Sequence, residues 1–352
     1  MKRLLLDLTP DELKLAVSPD YRSRQLFQFI YRQYGENFNA LTTFPKKIRA
    51  ALDCEFTIEA VKIAKKQNAD DGSIKYLFRL NDDLAIESVA LLMRGENADL
   101  RAANWTVCVS TQVGCKVGCA FCLSGKRGFF RNLTAGEIAA QVLMVKKDLG
   151  LSAEKAVNVV YMGMGEPLDN IENLRKAVSI ISAESGLNIS PRRQTVSTSG
   201  IAPKIDLLGA MKLGVLLAIS LHAVDDGTRN QLIPMNKAFN IARLLESVRR
   251  FPIDLRKRVM FEYLMLKGIN DSLSHANKLI RLLNGIRAKV NLIVFNPYIG
   301  SEFERPDQRS IEAFQRCLLG SGLFCTVRVP RGAEIDAACG QLQERQIVSC
   351  ET

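Results

Sequence analysis

The chain has 352 residues, 47% of them hydrophobic and 24% charged, and its 48 Lys and Arg outnumber 37 Asp and Glu for a formal net charge of +11. That length suits one large α/β domain with one or two smaller attachments, and the composition is ordinary for a soluble globular protein. No apolar run is long enough to span a membrane, and the opening MKRLLLDLTPDELK has only a short leucine run before acids appear, so no membrane partner and no secretory leader are expected and the cytoplasm is the default compartment.

Residues 1–55 read as short helices. Thr9-Pro10-Asp11-Glu12 is a helix start, Leu26, Phe27, Ile30 and Tyr34 recur at helical spacing, and Pro45 opens another helix. Residues 56–104 read as a strand-rich connecting segment, with Ile74–Leu80 and Leu84–Met93 flanking an Asn81-Asp82-Asp83 turn. From about 105 to 300, strands are expected near 106–110, 156–162, 194–198, 215–221, 258–265 and 289–295. Helices are expected between them at 134–147, 170–184, 202–213, 240–250 and 272–284, the first opening on a Thr134–Glu137 capping box. Such alternation builds a parallel sheet, and six strands imply an incomplete (β/α)6 barrel. A helix over 308–320, a strand over 323–329 and a tail make up a C-terminal extension, 301–352.

The chemically unusual segments fall just after expected strands: the cysteine loop, Gly163–Pro167, Ser197–Gly200, Ser220–His222 and Asn296-Pro297. In parallel α/β barrels the loops at that edge converge on one mouth, where the active site sits. Basic clusters recur at Lys46-Lys47, Lys62–Lys66, Lys126-Arg127, Arg192-Arg193 and Arg256–Arg258. A positive surface attracts polyanions without specifying their sequence, which admits RNA as a partner and equally admits a merely basic enzyme.

Nine cysteines occur in a chain without secretory features, a setting that favours metal ligands, catalysts or buried fillers over structural disulfides. Three of them form Cys115-Lys-Val-Gly-Cys119-Ala-Phe-Cys122. Three closely spaced thiolates can hold three corners of a 4Fe-4S cube. The usual cluster has four cysteine ligands, so three leave one iron open to an external ligand. A zinc knuckle is the alternative, but it wants a fourth Cys or His nearby. Neither His222 nor His275 lies in the loop, and Cys108 is the only close candidate. Gly163-Met-Gly-Glu166-Pro167 offers an open backbone and a carboxylate suited to an ammonium group, while Ser197, Ser199, Ser220 and Asn296 offer hydroxyl and amide groups. Taken singly, each of these is more often a cap or turn residue, and His222 more often a structural histidine.

The cysteine spacing, with Phe121 before the last ligand, resembles the radical S-adenosylmethionine superfamily. The likeness extends over essentially the whole chain through Cys108–Cys115, Arg131–Thr134, Gly163–Leu168, Ser197–Gly200, Ser220–His222, Asn291–Ile293 and Ile335–Leu342. Together these resemble the RlmN family of dual-specificity RNA methyltransferases, which act on C2 of adenine in 23S rRNA and in tRNA. The resemblance implies a [4Fe-4S] cluster on Cys115, Cys119 and Cys122, and S-adenosylmethionine bound by Gly165, Glu166, Ser197, Ser220, Leu221, His222 and Asn296. It also implies a small helical N-terminal RNA-binding domain and a C-terminal tail that closes the active site.

The same resemblance gives Cys339 the role of methyl acceptor and carrier. A radical formed on its S-methyl group adds to the electron-poor C2, and Cys108 then resolves the adduct and leaves a disulfide. Glu87 matches the base that takes the C2 proton. An electron donor such as a flavodoxin or ferredoxin is implied, and a monomer is expected. Sister enzymes that methylate C8 share these cysteines, and a non-enzymatic iron–sulfur or zinc RNA-binding protein is the reading from another class. The chain departs from the family in a longer segment at Arg94–Arg101, in Leu123-Ser124 after the cluster motif, in Val294, and in Ala333-Glu334 before Ile335.

Overall fold

The computed structural model describes residues 2–93, 104–254, 256–298, 300–328, 331–335 and 340–342. The strand β1 (Arg3–Leu4) precedes α1 (Pro10–Ala16), which Thr9 caps in a reciprocal box with Glu12. Next comes α2 (Asp20–Tyr31), which buries Leu26, Phe27 and Ile30 on one face, and α3 (Lys46–Glu55) starts directly behind Pro45. Tyr34 does not extend the α2 face as its spacing suggested. It lies past the helix end with φ of 55°, and its hydroxyl donates to the Leu151 carbonyl at 2.6 Å. β2 (Phe56–Thr57) returns parallel to β1.

An antiparallel meander follows, β3 (Val61–Asn68), β4 (Ile74–Leu80) and β5 (Ala85–Leu92), turning at Asp83, whose φ is 65°. β6 (Trp105–Cys108) pairs antiparallel with β5. A small hairpin of β7 (Gln112–Gly114) and β8 (Phe129–Asn132) brackets the cysteine loop, which includes the single turn α4 (Leu123–Lys126).

The α/β alternation then runs α5 (Ala135–Asp148), β9 (Asn158–Tyr161), α6 (Ile171–Ser182), β10 (Gln194–Thr198), α7 (Ala202–Ala210) and β11 (Leu216–Ser220). It continues through α8 (Asp226–Leu232), α9 (Ile241–Arg250), β12 (Val259–Met265), α10 (Leu273–Leu282), β13 (Ala288–Val294), α11 (Gln308–Gly320) and β14 (Phe324–Arg328).

Ten strands form one sheet in the order β14-β13-β12-β11-β10-β9-β6-β5-β4-β3, parallel from β6 through β14 and antiparallel beyond β6. The expected six strands are all present. Two features were not expected: β14 lengthens the parallel run by one strand, and the meander shares the same sheet instead of forming a separate connector. β12 shows why these segments are strands. Covered on both faces, it is a nearly unbroken apolar run, the pattern of a buried parallel strand. One apolar core runs from Leu5 to Leu342, with Trp105, Tyr161, Phe261, Tyr263 and Phe314 among its largest buried side chains. Thr134 and Glu137 make the expected capping box on α5. Gly136 in its first turn lets the N-terminal segment dock there: a Cβ would lie 2.7 Å from the Leu6 carbonyl carbon, and the Gly136 amide donates to Asp7 Oδ1.

Candidate active site

The loops after the parallel strands are joined side chain to backbone, one neighbour to the next. After β6, Val109 O accepts from Gly163 N–H, and Met164 O accepts from the amides of Thr111 and Gln112. Gln112 Oε1 accepts from Glu166 N–H at 2.8 Å. Glycine is required in the second loop for packing. A Cβ on Gly163 would lie 2.7 Å from Val109 backbone atoms, and one on Gly165, whose φ is +102°, would lie 2.6 Å from Gln112 Cβ. Glu166 bridges onward, its carboxylate accepting from Leu168 N–H (3.1 Å) and Ser199 N–H (2.7 Å). Burial raises its pKa, and these hydrogen bonds, led by those from Ser199, oppose the rise.

Arg229 clamps the next two loops. It is fully buried and donates to the carbonyls of Ser199 (2.6 Å), Ser220 (3.0 Å) and Leu221 (3.1 Å) and to Asn236 Oδ1 (2.8 Å). Burial lowers its pKa to about 10. His222 joins the fourth and fifth parallel strands: its Nδ1 accepts from Leu264 N–H at 2.9 Å, and its carbonyl accepts from Asn270 Nδ2 at 2.8 Å. Burial first, and then the positive charge of Arg229, depress the imidazole to about 3. The ring is therefore neutral, with its proton on Nε2, away from the Leu264 amide. The backbone there has φ of 57°, a conformation that a residue with a Cβ adopts only when its surroundings hold it.

The cysteine loop closes the other side. Its ends are tied by Cys115 N–H to Gly128 O, and its middle by Ala120 N–H to Leu232 O. Val117 sits in a small apolar cluster with Leu232, Ile233, Leu264, Leu266 and Phe295, against which Cys115, Cys119 and Phe121 pack. Phe121 meets the His222 ring edge-on at 5.0 Å between centroids. Burial pushes the Cys115 thiol up to about 12 and Cys119 well above its ordinary range, with the neighbouring cysteines and Glu166 adding to both. Three thiols that repel as thiolates in a shielded pocket need a bound cation to ionise together.

Among the described residues no three Cys, His, Asp or Glu side chains are gathered around a single-ion site. The three cysteines instead border a common cavity, which suits a polynuclear cluster better than a zinc ion with four close ligands. By donor type and placement these residues fit an iron–sulfur cube with one open corner.

That cavity is also bordered by Gly165, Glu166, Ser197, Ser220 and His222, so the structure brings most of the expected cofactor residues to the cysteine loop. Four expected residues are not on its lining. Cys108 is buried at the end of β6 in register with Val89. Glu87 is buried on β5, 3.5 Å from Lys75 Nζ, with its carbonyl accepting from Ser110 Oγ. Leu221 is core, and Asn296 hydrogen-bonds Gln341 through both side chain and carbonyl. Cys339 lies outside the described residues, as do Arg94–Arg101. The next residues in sequence, Gly340–Leu342, reach the cysteine loop: Gly340 O accepts from Leu123 N–H, Leu342 O accepts from Ser124 Oγ, and both residues border the cavity.

Two contributors were missed from sequence. Arg229 carries no local signal, since an arginine in a short polar helix ordinarily faces water. Glu262, which also borders the cavity, did carry one: it is the single charge inside the apolar run Val259–Met265.

Residues 109–280 match the radical SAM superfamily. The chain is 42% identical to a radical SAM methyltransferase of solved structure from Sphaerobacter thermophilus, over 97% of this chain and 99% of that one, with a TM-score of 0.89. With the cysteine loop placed at the strand-end cavity, the fold and site define a radical SAM enzyme. Dual-specificity RNA methyltransferases RlmN from a Nitratiruptor species and from Campylobacter jejuni are 56% and 53% identical over 97% and 98% of this chain and 98% and 99% of their own lengths. The chain belongs to that RlmN methyltransferase family.

Proposed function

We propose that this enzyme methylates C2 of an adenosine in 23S rRNA, and in tRNA, through an S-methylcysteine on Cys339 and with two molecules of S-adenosylmethionine. The observation that carries the reading is the meeting of Cys115, Cys119 and Cys122, the strand-end residues and the Gly340–Leu342 segment on one cavity. With a cluster on those cysteines and S-adenosylmethionine bound, reductive cleavage of the sulfonium supplies the carbon radical that alkylation of an electron-poor aromatic carbon requires. Gly165, Glu166, Ser197, Ser220 and His222 are proposed to hold the second ligand. Glu166 would do so indirectly, by fixing the Ser199 and Leu168 amides. The neutral His222 is suited to donate from Nε2. Leu221 and Asn296 would act through backbone and tail placement, since neither borders the cavity.

Cys108, a thiol on the strand that leads into the cluster loop, is proposed to resolve the protein–RNA adduct, and Glu87 to take the C2 proton. The strands from β6 to β13 are read as the incomplete barrel, residues 1–55 as an RNA-binding module, and the tail as the element that closes the site. An RNA partner is supported at the mouth as well as by the net charge. Lys116 Nζ stands 4.9 Å from the Phe129 ring centroid, Lys126 Nζ stands 5.3 Å from that of Tyr298, and Phe130 is 62% exposed beside them. Cations beside partly exposed aromatic rings suit unstacked nucleotides. A flavodoxin or ferredoxin is the proposed reductant, in the cytoplasm.

The test is anaerobic turnover of reconstituted enzyme with a deuterated methyl donor, followed by mass analysis of the RNA and of the Cys339 peptide. Label on C2 and on Cys339 is expected. Cys339→Ala keeps its iron and transfers no methyl group, and Cys108→Ala accumulates an RNA–protein adduct. Metal held by four protein ligands in the wild type would overturn the reading, and a Cys108→Ala variant without adduct would remove that residue from the resolving role.

A further inference from the structure

After β14 the chain runs back to the meander. Seven strand steps in the sheet order separate β14 from β5, which would be about 34 Å in a flat sheet. Yet Arg331, three residues and at most about 11 Å of chain beyond Arg328, donates to the Leu92 carbonyl at the end of β5. The sheet therefore curls these strands toward each other, and the C-terminal segment bridges them. The turn between β3 and β4, Ala69–Ser73, receives it. Gly332 N–H donates to Asp71 Oδ2 at 3.0 Å, and Glu334 Oε1 accepts from Asp70 N–H at 2.8 Å. The turn is internally braced: Ala69 N–H donates to Ser73 O, Gly72 N–H to Ala69 O, and Ser73 N–H to Asp71 Oδ1 at 2.8 Å, so each Asp71 oxygen has one task. Gly72, with φ of +79°, lies against Leu92, and a Cβ there would come within 2.7 Å of Leu92 Cδ2. Burial works to raise the Asp71 carboxyl, but the hydrogen bonds from Ser73 and Gly332 and the Arg331 charge outweigh it and hold the group below its ordinary range.

Cys339 falls in sequence between this dock and a second set of contacts, the bonds of Gly340 and Leu342 to the cysteine loop. The two sets differ in place. Gly340 and Leu342 border the cavity, whereas no residue of Ala69–Ser73 or Arg331–Ile335 does. A carrier cysteine must face a methyl donor, an RNA base and a resolving thiol in turn, so contacts beside it at the cavity must change during the cycle, and contacts away from the cavity need not. Resting on the proposed carrier role of Cys339, we propose that Asp71 is a positioning residue for that cysteine: its turn is the fixed post of the tail, and the contacts at Gly340 and Leu342 are the latch that opens. The post stands on the meander that carries Glu87 and pairs with the strand of Cys108, so the tail, the proposed base and the proposed resolving thiol share one frame. Five residues of chain lead from Glu334 to Cys339, against eight from Arg331 and eleven from Arg328. Effective concentration falls as the −3/2 power of tether length, so with the latch open, loss of the dock lowers the encounter of Cys339 with its partners roughly two- to threefold.

The test compares full-length wild type with the double variant Asp71→Ala, Glu334→Ala and with Asp71→Asn, Glu334→Gln, which keeps an acceptor oxygen at each point. Hydrogen exchange reads the dock without turnover: the Gly332 and Asp70 amides should exchange roughly 2- to 10-fold faster in the alanine variant. Anaerobic turnover of cluster-loaded enzyme with RNA then reads the consequence, as 5′-deoxyadenosine formed per adenosine methylated. That ratio should rise roughly two- to threefold in the alanine variant at unchanged KM for RNA, and the amide variant should bring it most of the way back. A loss of folded enzyme lowers both products in step and leaves the ratio where it was, so the ratio separates positioning from stability. Unchanged exchange in the alanine variant would overturn the dock, and an unchanged ratio would overturn the positioning role. A wild type whose Cys339 peptide never carries the methyl group would instead overturn the carrier reading on which that role rests.

Discussion

Arg229→Leu removes a clamp shared by two strand ends, and its cost follows from the contacts. Four hydrogen bonds from the guanidinium, to Ser199 O, Ser220 O, Leu221 O and Asn236 Oδ1, are lost together. At about 1.5–3 kcal/mol for each bond from a charged donor, they sum to about 6–12 kcal/mol. The variant escapes the desolvation of a buried cation, a gain of several kcal/mol, and leaves three buried carbonyls without their donor, so a net cost of about 3–5 kcal/mol is expected. We expect that loss in urea unfolding, read as a lower midpoint at unchanged slope. Arg229→Lys, which keeps the charge but not the planar fork, should fall between the variant and wild type. A loss below about 1 kcal/mol for Arg229→Leu would refute the reasoning, because the three carbonyls would then have found other donors.

His222 gives a pH test. Its folded value near 3 lies below the ordinary 6.5, so above 6.5 it adds no pH dependence. As pH falls from 6.5 toward 3 the unfolded chain takes up a proton that the folded one refuses, and stability drops by up to about 1.4 kcal/mol per pH unit. The unfolding free energy of wild type minus that of His222→Asn should shrink accordingly between pH 6.5 and 4.5, and a constant difference would exclude a neutral buried ring. Gly165→Ala forces a Cβ to 2.6 Å from Gln112 Cβ at φ of +102° and should destabilise by about 2–4 kcal/mol in the same assay. A neutral result there would show that the second loop does not pack as described. At the mouth, Lys126→Ala should lower the slope of log affinity for single-stranded RNA against log salt by about 1. Phe130→Ala should weaken binding by about 1–3 kcal/mol with the slope unchanged. Identical titrations for all three proteins would remove this face from RNA contact.

Much of the architecture was legible because its signals are local. Thr9 with Glu12 and Thr134 with Glu137 mark helix starts through one or two hydrogen bonds within four residues, and β10 occupies the very span, Gln194–Thr198, that its alternation with helices suggests. What escaped depends on partners distant in sequence. Nothing near Phe324 announces that it will pair beside Lys289, and nothing in the meander says that Val89 will meet Cys108 and extend the main sheet. At the site, the cysteine spacing is a local pattern and placed the loop correctly. Leu221 and Asn296 have polar or reactive neighbours in sequence, yet the folded chain gives one to the core and the other to Gln341. Arg229 is the extreme case, since its role exists only once two other loops have brought their carbonyls to it.

The rim of strand-end loops has a consequence for redesign. Gln112, Glu166, Arg229 and His222 with Asn270 each complete the hydrogen bonding of the segment next door, so adjoining loops have interlocking vocabularies. Transplanting one loop from a relative would strand its neighbours' donors and acceptors even if its own sequence were ideal. Altering the chemistry of this scaffold calls for exchanging loops in adjacent sets, each carrying the residue that answers the next.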